Sequence, residues 1–310
     1  MQGVINVYKP EEFTSHDCVA IIRGASRTKK TGHTGTLDPM AKGILVVCIG
    51  KATRLIQYLD RDSKEYICTM TLGIRTDTQD IWGNVLERRD PSEIKPEKIR
   101  EVLSSFVGVT EQKPPMFSAV KVKGKKLYEY ARKGIDIEVK SRKVKIYSIE
   151  VIDIDGPSVR FRVICGSGTY VRTICDDAGK MLGCFACMTD LVRTRNGAFT
   201  LDDAVDIRDI KRMNSEELSR HVMPMDRALS FKKTIVDERS ASDLMNGKKI
   251  SGGEQLDNEE RTSIYRIHTP EELNGFSEEG YSGEIFIGIA KKEGRFLIPE
   301  KIIYREETGK

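Results

Sequence analysis

The sequence has little of what marks membrane-bound or secreted proteins. Its longest notable apolar run covers only residues 44–49, whereas a membrane-spanning helix needs roughly 18 apolar residues. The N-terminus, Met1-Gln2-Gly3, lacks the basic and apolar segments of a secretory signal. We therefore expect a protein that stays in the cytoplasm and has no membrane partner.

Cysteines are few and suggest no disulfide framework. There are seven, an odd number, and a chain of 310 residues can build its core without disulfides. Cys184 and Cys187 have the spacing of half a zinc site, but no second pair supplies the four ligands that structural zinc requires. We expect reduced thiols that pack in the interior, and no metal site.

The composition excludes disordered and fibrous proteins. Apolar residues make up 39% of the chain and charged residues 32%, which is somewhat more charge than an average globular domain carries. At roughly 100–200 residues per domain, the length leaves room for one large domain or two ordinary ones.

Positive charge is concentrated ahead of the C-terminal quarter of the chain. Residues 235–310 carry 11 basic and 16 acidic side chains, which leaves 40 basic and 31 acidic ones before them. The densest stretch, residues 113–145, has 11 basic and 3 acidic residues, with Tyr128 and Tyr130 among the lysines. A basic run is often only a solvated surface, but basic charge beside aromatic faces also suits a phosphodiester backbone and unstacked bases. Nucleic acid is therefore a candidate partner.

Strand-like and helix-like segments alternate, which predicts an α+β fold. Strands are predicted at residues 43–50, 65–72, 144–152 and 158–165, the last two forming a hairpin. Helices are predicted to begin with Ser15 as the cap, to begin near Pro96, and to end at Gly183.

The C-terminal part of the sequence predicts a second, smaller domain. The charge becomes acidic after about residue 230, and strands are predicted at residues 284–290 and 295–304 around the turn at Glu293-Gly294. We therefore divide the chain into domains at residues 1–230 and 231–310, the second rich in β structure.

The densest chemical segment is the loop at residues 31–43, in which glycines, hydroxyls, one histidine and one carboxylate precede a buried strand. It is not a phosphate-binding P-loop, because Leu45 and Ala52 stand where that motif requires glycine and a hydroxyl residue. The chain also lacks the Gly-x-Ser-x-Gly of serine hydrolases. Taken alone, Asp38 before Pro39 is more typical of a turn than of a catalytic carboxylate.

Five segments in chain order carry more information than this loop alone. They are Lys9-Pro10 with Thr14-Ser15; Gly32-His33-Thr34-Gly35-Thr36-Leu37-Asp38-Pro39 with Ala41 and Gly43; Lys64-Glu65-Tyr66 with Leu72-Gly73 and Thr76-Asp77-Thr78; Lys125-Lys126-Leu127-Tyr128-Glu129-Tyr130-Ala131-Arg132; and Gly168-Thr169-Tyr170-Val171-Arg172 with Asp176-Asp177 and Gly179. Together they resemble the motifs of the bacterial tRNA pseudouridine-55 synthases, the TruB family. The resemblance runs from about residue 3 to about residue 230 and is weaker beyond.

The resemblance implies a pseudouridine synthase fold, a mixed and largely antiparallel sheet flanked by helices. It adds a basic RNA-gripping insertion at about residues 110–145 and a PUA-like C-terminal RNA-binding domain. The implied activity is that of an RNA-modifying isomerase that flips the T-loop uridine (uridine-55) of tRNA and converts it to pseudouridine. Because that reaction gains no group and has no redox step, we expect no cofactor. We also expect a monomer that binds the T arm of tRNA without an obligatory protein partner.

The resemblance also assigns roles to individual residues. Asp38 would be the nucleophile, Tyr66 would stack on the extruded base, and Arg172 would supply the countercharge of Asp38. The other substrate contacts would be His33, Tyr170 and Leu191, although Leu191 is equally suited to plain core packing. The residues expected to bind RNA are Lys9, Lys121, Lys123, Lys125, Lys126 and Arg132.

One position departs from the family pattern, because Glu12 stands where the family usually has glycine. We expect this to affect only the local loop shape. Two other functions stay open: a non-catalytic tRNA-binding or folding protein on the same fold, and a related synthase guided by accessory RNA and proteins. The trio of Asp38, Tyr66 and Arg172 opposes the first, since a pure binder would not need all three. The bacterial-style insertion and the short acidic C-terminus oppose the second.

Overall fold

The computed structural model describes residues 1–59, 63–135, 137–252, 264–270 and 284–304. Its strands in chain order are β1 (Gly3–Lys9), β2 (Thr31–His33), β3 (Lys42–Ile49), β4 (Lys64–Leu72), β5 (Ile74–Thr76), β6 (Val85–Arg88), β7 (Gly108–Gln112), β8 (Lys121–Val122), β9 (Lys125–Lys126), β10 (Arg142–Asp155), β11 (Ser158–Cys165), β12 (Ala186–Asn196), β13 (Phe199–Thr200), β14 (Val205–Asp206), β15 (Lys232–Ile235), β16 (Ile250–Ser251), β17 (Ile264–Pro270), β18 (Glu284–Glu293) and β19 (Phe296–Ile302).

The helices flank these strands and are mostly short. They are α1 (Ser15–Ser26), α2 (Ile56–Leu59), α3 (Pro96–Ser104), α4 (Leu127–Ala131), α5 (Val171–Leu182), α6 (Ile207–Ile210), α7 (Ser215–Ser219) and α8 (Glu238–Met245), with 3-10 turns at Gly50–Leu55 and Leu201–Asp203. In the described ranges, no helix has both the length and the apolar character that crossing a bilayer requires.

The main sheet confirms the predicted α+β class. Its strands lie in the order β14-β1-β3-β12-β4-β11-β10-β7, with β2 paired to β3 and β13 paired to β12. Strand β1 runs parallel to β14 and β12 parallel to β3, while the other neighbours in this sheet are antiparallel. The sheet is therefore mixed and largely antiparallel, as expected.

Strand β3 reads as a continuous apolar run because both of its faces are covered. Leu45 and Val47 belong to a core shared with α1, α6 and α7. Ile44 and Val46, on the opposite face, pack in a core that includes Ile289 and Ile303 of the C-terminal region. A strand buried on both faces shows no polar alternation, which explains why this segment stands out in the sequence.

Strand β4 alternates because one face carries the largest core. Tyr66, Cys68 and Met70 are buried against residues of α3, α5 and β11, while the residues between them are half-buried. The predicted hairpin is confirmed by β10 and β11, and the predicted helix by α5. Gly183 ends α5 with a φ of 76°, in the left-handed conformation that glycine favours.

The predicted cap of α1 is wrong by one residue. Thr14, not Ser15, is the N-cap: its hydroxyl accepts from the backbone N–H of Asp17 at 3.0 Å, and the Asp17 carboxylate accepts from the Thr14 N–H at 2.8 Å. This reciprocal pair is a capping box. Ser15 is buried at the first turn and contacts another loop, described below.

A second sheet follows residue 231 and confirms the predicted C-terminal β structure. Its order is β15-β17-β18-β19-β16, and the predicted strands at residues 284–290 and 295–304 correspond to β18 and β19. Helix α8 packs on it through Ala241 and Leu244. Residues 253–263, 271–283 and 305–310 of this region lie outside the described residues.

Candidate active site

The loop between β2 and β3 is held in place by the start of α1. The Ser15 hydroxyl donates to the carbonyl of Leu37 at 2.9 Å and accepts from the Leu37 N–H at 2.8 Å. The carbonyl of Asp38 accepts from the N–H of Ala41 at 3.0 Å, which closes a turn. The backbone is therefore fixed both before and after the Asp38 side chain, which is 28% exposed.

Lys9 is buried under this loop, and our expectation that it binds RNA is wrong. Its side chain is 0% exposed, and its ammonium donates to the carbonyls of Pro10, Phe13 and Pro39 at 2.9, 2.7 and 3.2 Å. Burial lowers the pKa of Lys9 to about 8. A cation enclosed by three carbonyls cannot reach a phosphate, so Lys9 supports the loop that carries Asp38.

Arg172, at the first turn of α5, pairs with Asp38 as the resemblance implied. Its guanidinium is 3.2 Å from Asp38 Oδ2 and also donates to the carbonyls of Phe117 and Thr78 at 2.7 and 3.3 Å. Its other edge lies 3.6 Å from Asp80 Oδ2. Burial raises the pKa of Asp80. Sequence reasoning missed Asp80, although it lies two residues after the Thr76-Asp77-Thr78 segment.

Tyr66 is buried on β4, next to a second arginine that sequence reasoning also missed. The Arg193 guanidinium lies 5.9 Å from the centre of the Tyr66 ring and donates to the carbonyls of Ile44 and Gly35 at 2.7 and 3.3 Å. Burial raises the pKa of the Tyr66 hydroxyl, and nearby Arg193 opposes that rise. The spacing of Leu191 and Arg193, two residues apart on β12, could have indicated that Arg193 lies on the same buried face as Leu191.

Gly43 of the loop motif is required by the close approach of β12. Its φ is 103°, and a Cβ there would lie 2.2 Å from the carbonyl oxygen of Arg193. Any side chain would push β12 away from β3. The glycine therefore fixes Arg193, and with it the wall next to Tyr66.

These side chains surround one cavity of about 330 Å³. The volume lies in the range of small-molecule sites and suits a single nucleoside. Its lining includes the predicted site residues Asp38, Tyr66, Tyr170, Arg172 and Leu191, together with Arg193, which was not predicted. His33 is half-buried on β2, paired with Val47 of β3, and is not part of the cavity wall.

Residues at both ends of the basic insertion contact Tyr170, which lines the cavity. The backbone N–H of Tyr170 donates to Gln112 Oε1 at 2.8 Å, and Gln112 Nε2 donates back to the Tyr170 carbonyl at 3.0 Å. Arg142, the cross-strand partner of Gln112, stacks 5.1 Å from the Tyr170 ring centre. Ser118, Ala119 and Val120 of the insertion also line the cavity, so the insertion forms one of its walls.

The remaining expected RNA-binding residues lie on the surface of the insertion. Lys121, Lys123, Lys125 and Arg132 are exposed or partly exposed, and Lys126 is half-buried. The cationic groups of Lys126 and Arg132 lie 5.4 and 5.2 Å from the Tyr128 ring centre. These residues form a basic hairpin and helix whose outer surface is open to a polyanion.

The cysteines form no metal centre in the described part of the chain. All seven are buried free thiols, and no group of three or more His, Cys, Asp or Glu side chains there could hold a metal ion. Burial raises the pKa of Cys187 to about 12, so this thiol stays protonated and packs as a small apolar group.

Fold and site together are those of a pseudouridine synthase: an aspartate paired with an arginine, a buried tyrosine and a nucleoside-sized cavity on a mixed sheet. Residues 23–171 match the TruB family pseudouridylate synthase N-terminal domain, and residues 172–230 match the tRNA pseudouridylate synthase B C-terminal domain. The chain belongs to the TruB family of pseudouridylate synthases.

Relatives and solved structures agree with this assignment. The chain is 42% identical to a tRNA pseudouridine synthase B of Clostridium tetani over 91% of this chain and 97% of the relative. It is 42% identical to one of Alkaliphilus oremlandii over 94% of each chain. A solved Cbf5-Nop10-Gar1 complex contains a chain with 27% identity and a TM-score of 0.72, matched over 98% of this chain and 86% of that one. The expected fold and pseudouridine synthase activity are confirmed, and nothing in these comparisons favours the non-catalytic alternative.

Proposed function

We propose that this protein converts the T-loop uridine (uridine-55) of tRNA into pseudouridine, with Asp38 as the nucleophile. The observation that carries the proposal is the ion pair of Asp38 with Arg172, 3.2 Å apart, in the wall of a cavity that fits one nucleoside. A carboxylate is a competent covalent nucleophile. The relatives are named tRNA pseudouridine synthase B, which supports tRNA as the substrate.

The reaction rearranges one nucleoside without adding or removing an atom. The bond from ribose C1′ to uracil N1 breaks, a bond from C1′ to C5 forms, C5 loses a proton and N1 gains one. No oxidant, reductant or group donor enters this balance, so no cofactor is proposed. This atom balance is the same whether Asp38 attacks the ribose or the base.

Arg172 keeps Asp38 ionised, and therefore nucleophilic, once bound RNA has closed the cavity. A carboxylate that loses water without a countercharge protonates and ceases to be a nucleophile. Arg172 is only 4% exposed, whereas Asp38 is 28% exposed. RNA binding therefore removes water mainly from Asp38, while the compensating cation is already in place.

Tyr66 acts first as a stacking face. Extruding a uridine from a folded arm costs a few kcal/mol, and an aromatic platform returns roughly 1–3 kcal/mol per base. Because burial raises the pKa of its hydroxyl, Tyr66 is protonated in the free enzyme. Tyr66 can accept the C5 proton only after its own proton has passed to solvent, and Arg193, whose guanidinium lies 3.5 Å from the hydroxyl, would stabilise the resulting phenolate.

The surrounding surfaces are assigned to the rest of the tRNA. The exposed lysines and arginine of the insertion, residues 110–145, would bind the T-arm backbone with little sequence content, and His33 would contact nucleotides that leave the stack. Residues 1–230 would form the catalytic domain and residues 231–310 a PUA-like RNA-binding domain. We further propose a cytoplasmic monomer that needs no protein partner.

The test is modification mapping of an unmodified tRNA transcript incubated with purified protein, without nucleotide or added metal. Wild type should produce pseudouridine at the T-loop uridine, and Asp38→Asn should bind the transcript but yield none. Asp153→Asn, an exposed carboxylate on β10, is the matched control and should remain active. Product from Asp38→Asn would refute the nucleophile, and tight binding by wild type with no product would refute the stand-alone enzyme.

A further inference from the structure

A cluster of large apolar side chains lies exposed on the hairpin of β5 and β6. Ile81, Trp82, Val85 and Leu86 are 40%, 53%, 45% and 55% exposed, all within six consecutive residues. Trp82 is the single tryptophan of the chain. Contiguous exposed apolar surface of this kind marks an interaction site far more often than isolated exposed residues do.

The hairpin lies along α5, with its tip at the cavity end. At its base, Arg89 donates to the carbonyl of Gly183, just beyond the C-terminus of α5. At its tip, the Thr78 carbonyl accepts from Arg172 at 3.3 Å and the Gln79 side chain accepts from Thr173 at 2.8 Å, both on the first turn of α5. A helix of 12 residues spans about 18 Å, so Trp82 lies at the end of α5 that faces the cavity.

Only two side chains separate the backbone of Trp82 from the proposed nucleophile. The Trp82 N–H donates to Asp80 Oδ1 at 3.1 Å, Asp80 pairs with Arg172, and Arg172 pairs with Asp38. The N–H of Ile81 donates to the carbonyl of Met188 at 2.8 Å, and Met188 lines the cavity.

The turn that carries Trp82 is fixed before any ligand arrives. A Cβ at Gly83 would lie 2.3 Å from Thr78 Oγ1 and 2.4 Å from Asp77 Oδ1, so the turn is closed tightly around this glycine. Asn84 donates twice to the Asp77 carboxylate, at 2.9 Å each. An apolar surface on a preorganised turn binds without the entropy loss of ordering a loop.

An RNA bound at the cavity must continue past its rim. Flipping one nucleotide removes a stacking partner from the nucleotide beside it, and an exposed indole offers that nucleotide a replacement face. The basic insertion borders the cavity through Ser118 to Val120, while Ile81 and Asp80 of the hairpin contact the cavity-lining residues Met188 and Arg172. Phosphates and an unstacked base can therefore be bound at different parts of the rim.

We propose that Trp82 is a stacking platform for an unpaired nucleotide adjacent to the flipped uridine, flanked by Ile81 and Leu86. The inference rests on the proposed function, because it needs an RNA seated at the cavity. It adds an aromatic contact outside the pocket, at a residue that none of the five family-like segments contains.

The single tryptophan makes the test direct, because all indole fluorescence comes from Trp82. Asp38→Asn protein is titrated with an unmodified T-arm stem-loop, and emission and acrylamide quenching are recorded while filter binding reports complex formation independently. We expect the emission to fall and Trp82 to become protected from acrylamide as the complex forms.

Affinity measurements separate stacking from mere proximity. Trp82→Ala should raise the Kd for the stem-loop roughly 5- to 100-fold, the equivalent of removing one stacked base, and Trp82→Phe should recover most of it. Met181→Ala, a 55% exposed apolar residue at the opposite end of α5, is the matched control and should leave Kd unchanged.

The outcomes distinguish this inference from the proposed function. If filter binding shows a complex but Trp82 stays open to acrylamide, or if Trp82→Ala binds with the parent Kd, the platform is refuted and the synthase assignment stands. If the wild type binds no stem-loop at all, the proposed function fails and the platform fails with it.

Discussion

The guanidinium of Arg172 bridges two carboxylates, 3.2 Å from Asp38 Oδ2 and 3.6 Å from Asp80 Oδ2. Asp80 is itself held by the Thr78 hydroxyl at 2.8 Å and the Trp82 N–H at 3.1 Å. Arg172 is thus anchored on the side away from Asp38. Asp80 adds a negative charge to the two carbonyls, of Phe117 and Thr78, that also hold the guanidinium. Without that charge, Arg172 would pair more closely with Asp38 and reduce its nucleophilicity.

Replacing Asp80 should therefore slow the chemical step without weakening RNA binding. Asp80→Asn keeps an acceptor for Thr78 and Trp82 but removes the charge opposite Arg172. Arg172 and Asp80 form an ion pair at 3.6 Å, not a hydrogen bond, so we expect a decrease of roughly 10-fold in rate, equivalent to about 1.4 kcal/mol. Single-turnover kinetics with saturating enzyme measure the rate, and filter binding measures Kd. A Kd increase that matched the fall in rate would contradict this role.

Charge reversal on the insertion should weaken binding and its salt dependence together. Lys123, Lys125 and Lys126 changed to Glu should raise Kd for tRNA and reduce the slope of log K against log salt. The expected reduction is up to about 0.7–0.9 for each phosphate that the protein no longer neutralises. The measurement is a salt titration of tRNA binding.

The control for this experiment is an equal charge change outside the insertion. Lys95, Lys98 and Arg100 are exposed on or beside α3, and their reversal alters the net charge by the same amount. We expect a much smaller effect on the slope. Equal slopes for the two triple variants would mean that overall charge, not the insertion, sets the affinity.

Local patterns were enough to predict the main elements around the site. The apolar run of β3, the alternation of β4 and the spacing of α5 up to Gly183 each follow from which faces are buried, and burial leaves a periodic trace in the sequence. The resemblance to known motifs then placed Asp38, Tyr66 and Arg172 in one site, and the structure brings all three to one cavity.

What could not be predicted depends on contacts between distant parts of the chain. Arg193 reads as one more charged residue until β12 is seen to carry it next to Tyr66, 127 residues away. Lys9 reads as a surface cation until the loop after β2 encloses it. Even the cap of α1 was misplaced, because the Ser15 hydroxyl is hydrogen-bonded to the backbone of Leu37, 22 residues further on. Sequence spacing can place a polar residue such as Arg193 on a buried face, but it does not identify the distant groups that will enclose it.

Glu12 occupies a backbone conformation that explains why glycine is usual at this position. Its φ is 70°, and its N–H donates to the carbonyl of Pro39 at 3.0 Å. A non-glycine residue there costs about 1–2 kcal/mol, while glycine adds back about 0.5–1 kcal/mol of unfolded-state entropy. Glu12→Gly should therefore raise the free energy of unfolding by up to about 1 kcal/mol, as measured by urea denaturation. Glu11→Gly, at an exposed neighbour without a positive φ, should lower it instead, and a loss of stability in both variants would rule out relieved strain at Glu12.

Lys9 should make stability depend on pH in the alkaline range. Burial lowers its pKa to about 8 in the folded protein, against an ordinary value of 10.5, so between these values the unfolded chain holds a proton that the folded protein lacks. The free energy of unfolding from this group therefore rises with pH across that window. Between pH 7 and 9.5, wild type should gain about 2 kcal/mol relative to Lys9→Met, because the methionine does not titrate. Urea denaturation of both proteins at the two pH values measures the difference. A constant difference would mean that the three carbonyls around the ammonium keep Lys9 charged throughout, and that they outweigh its burial.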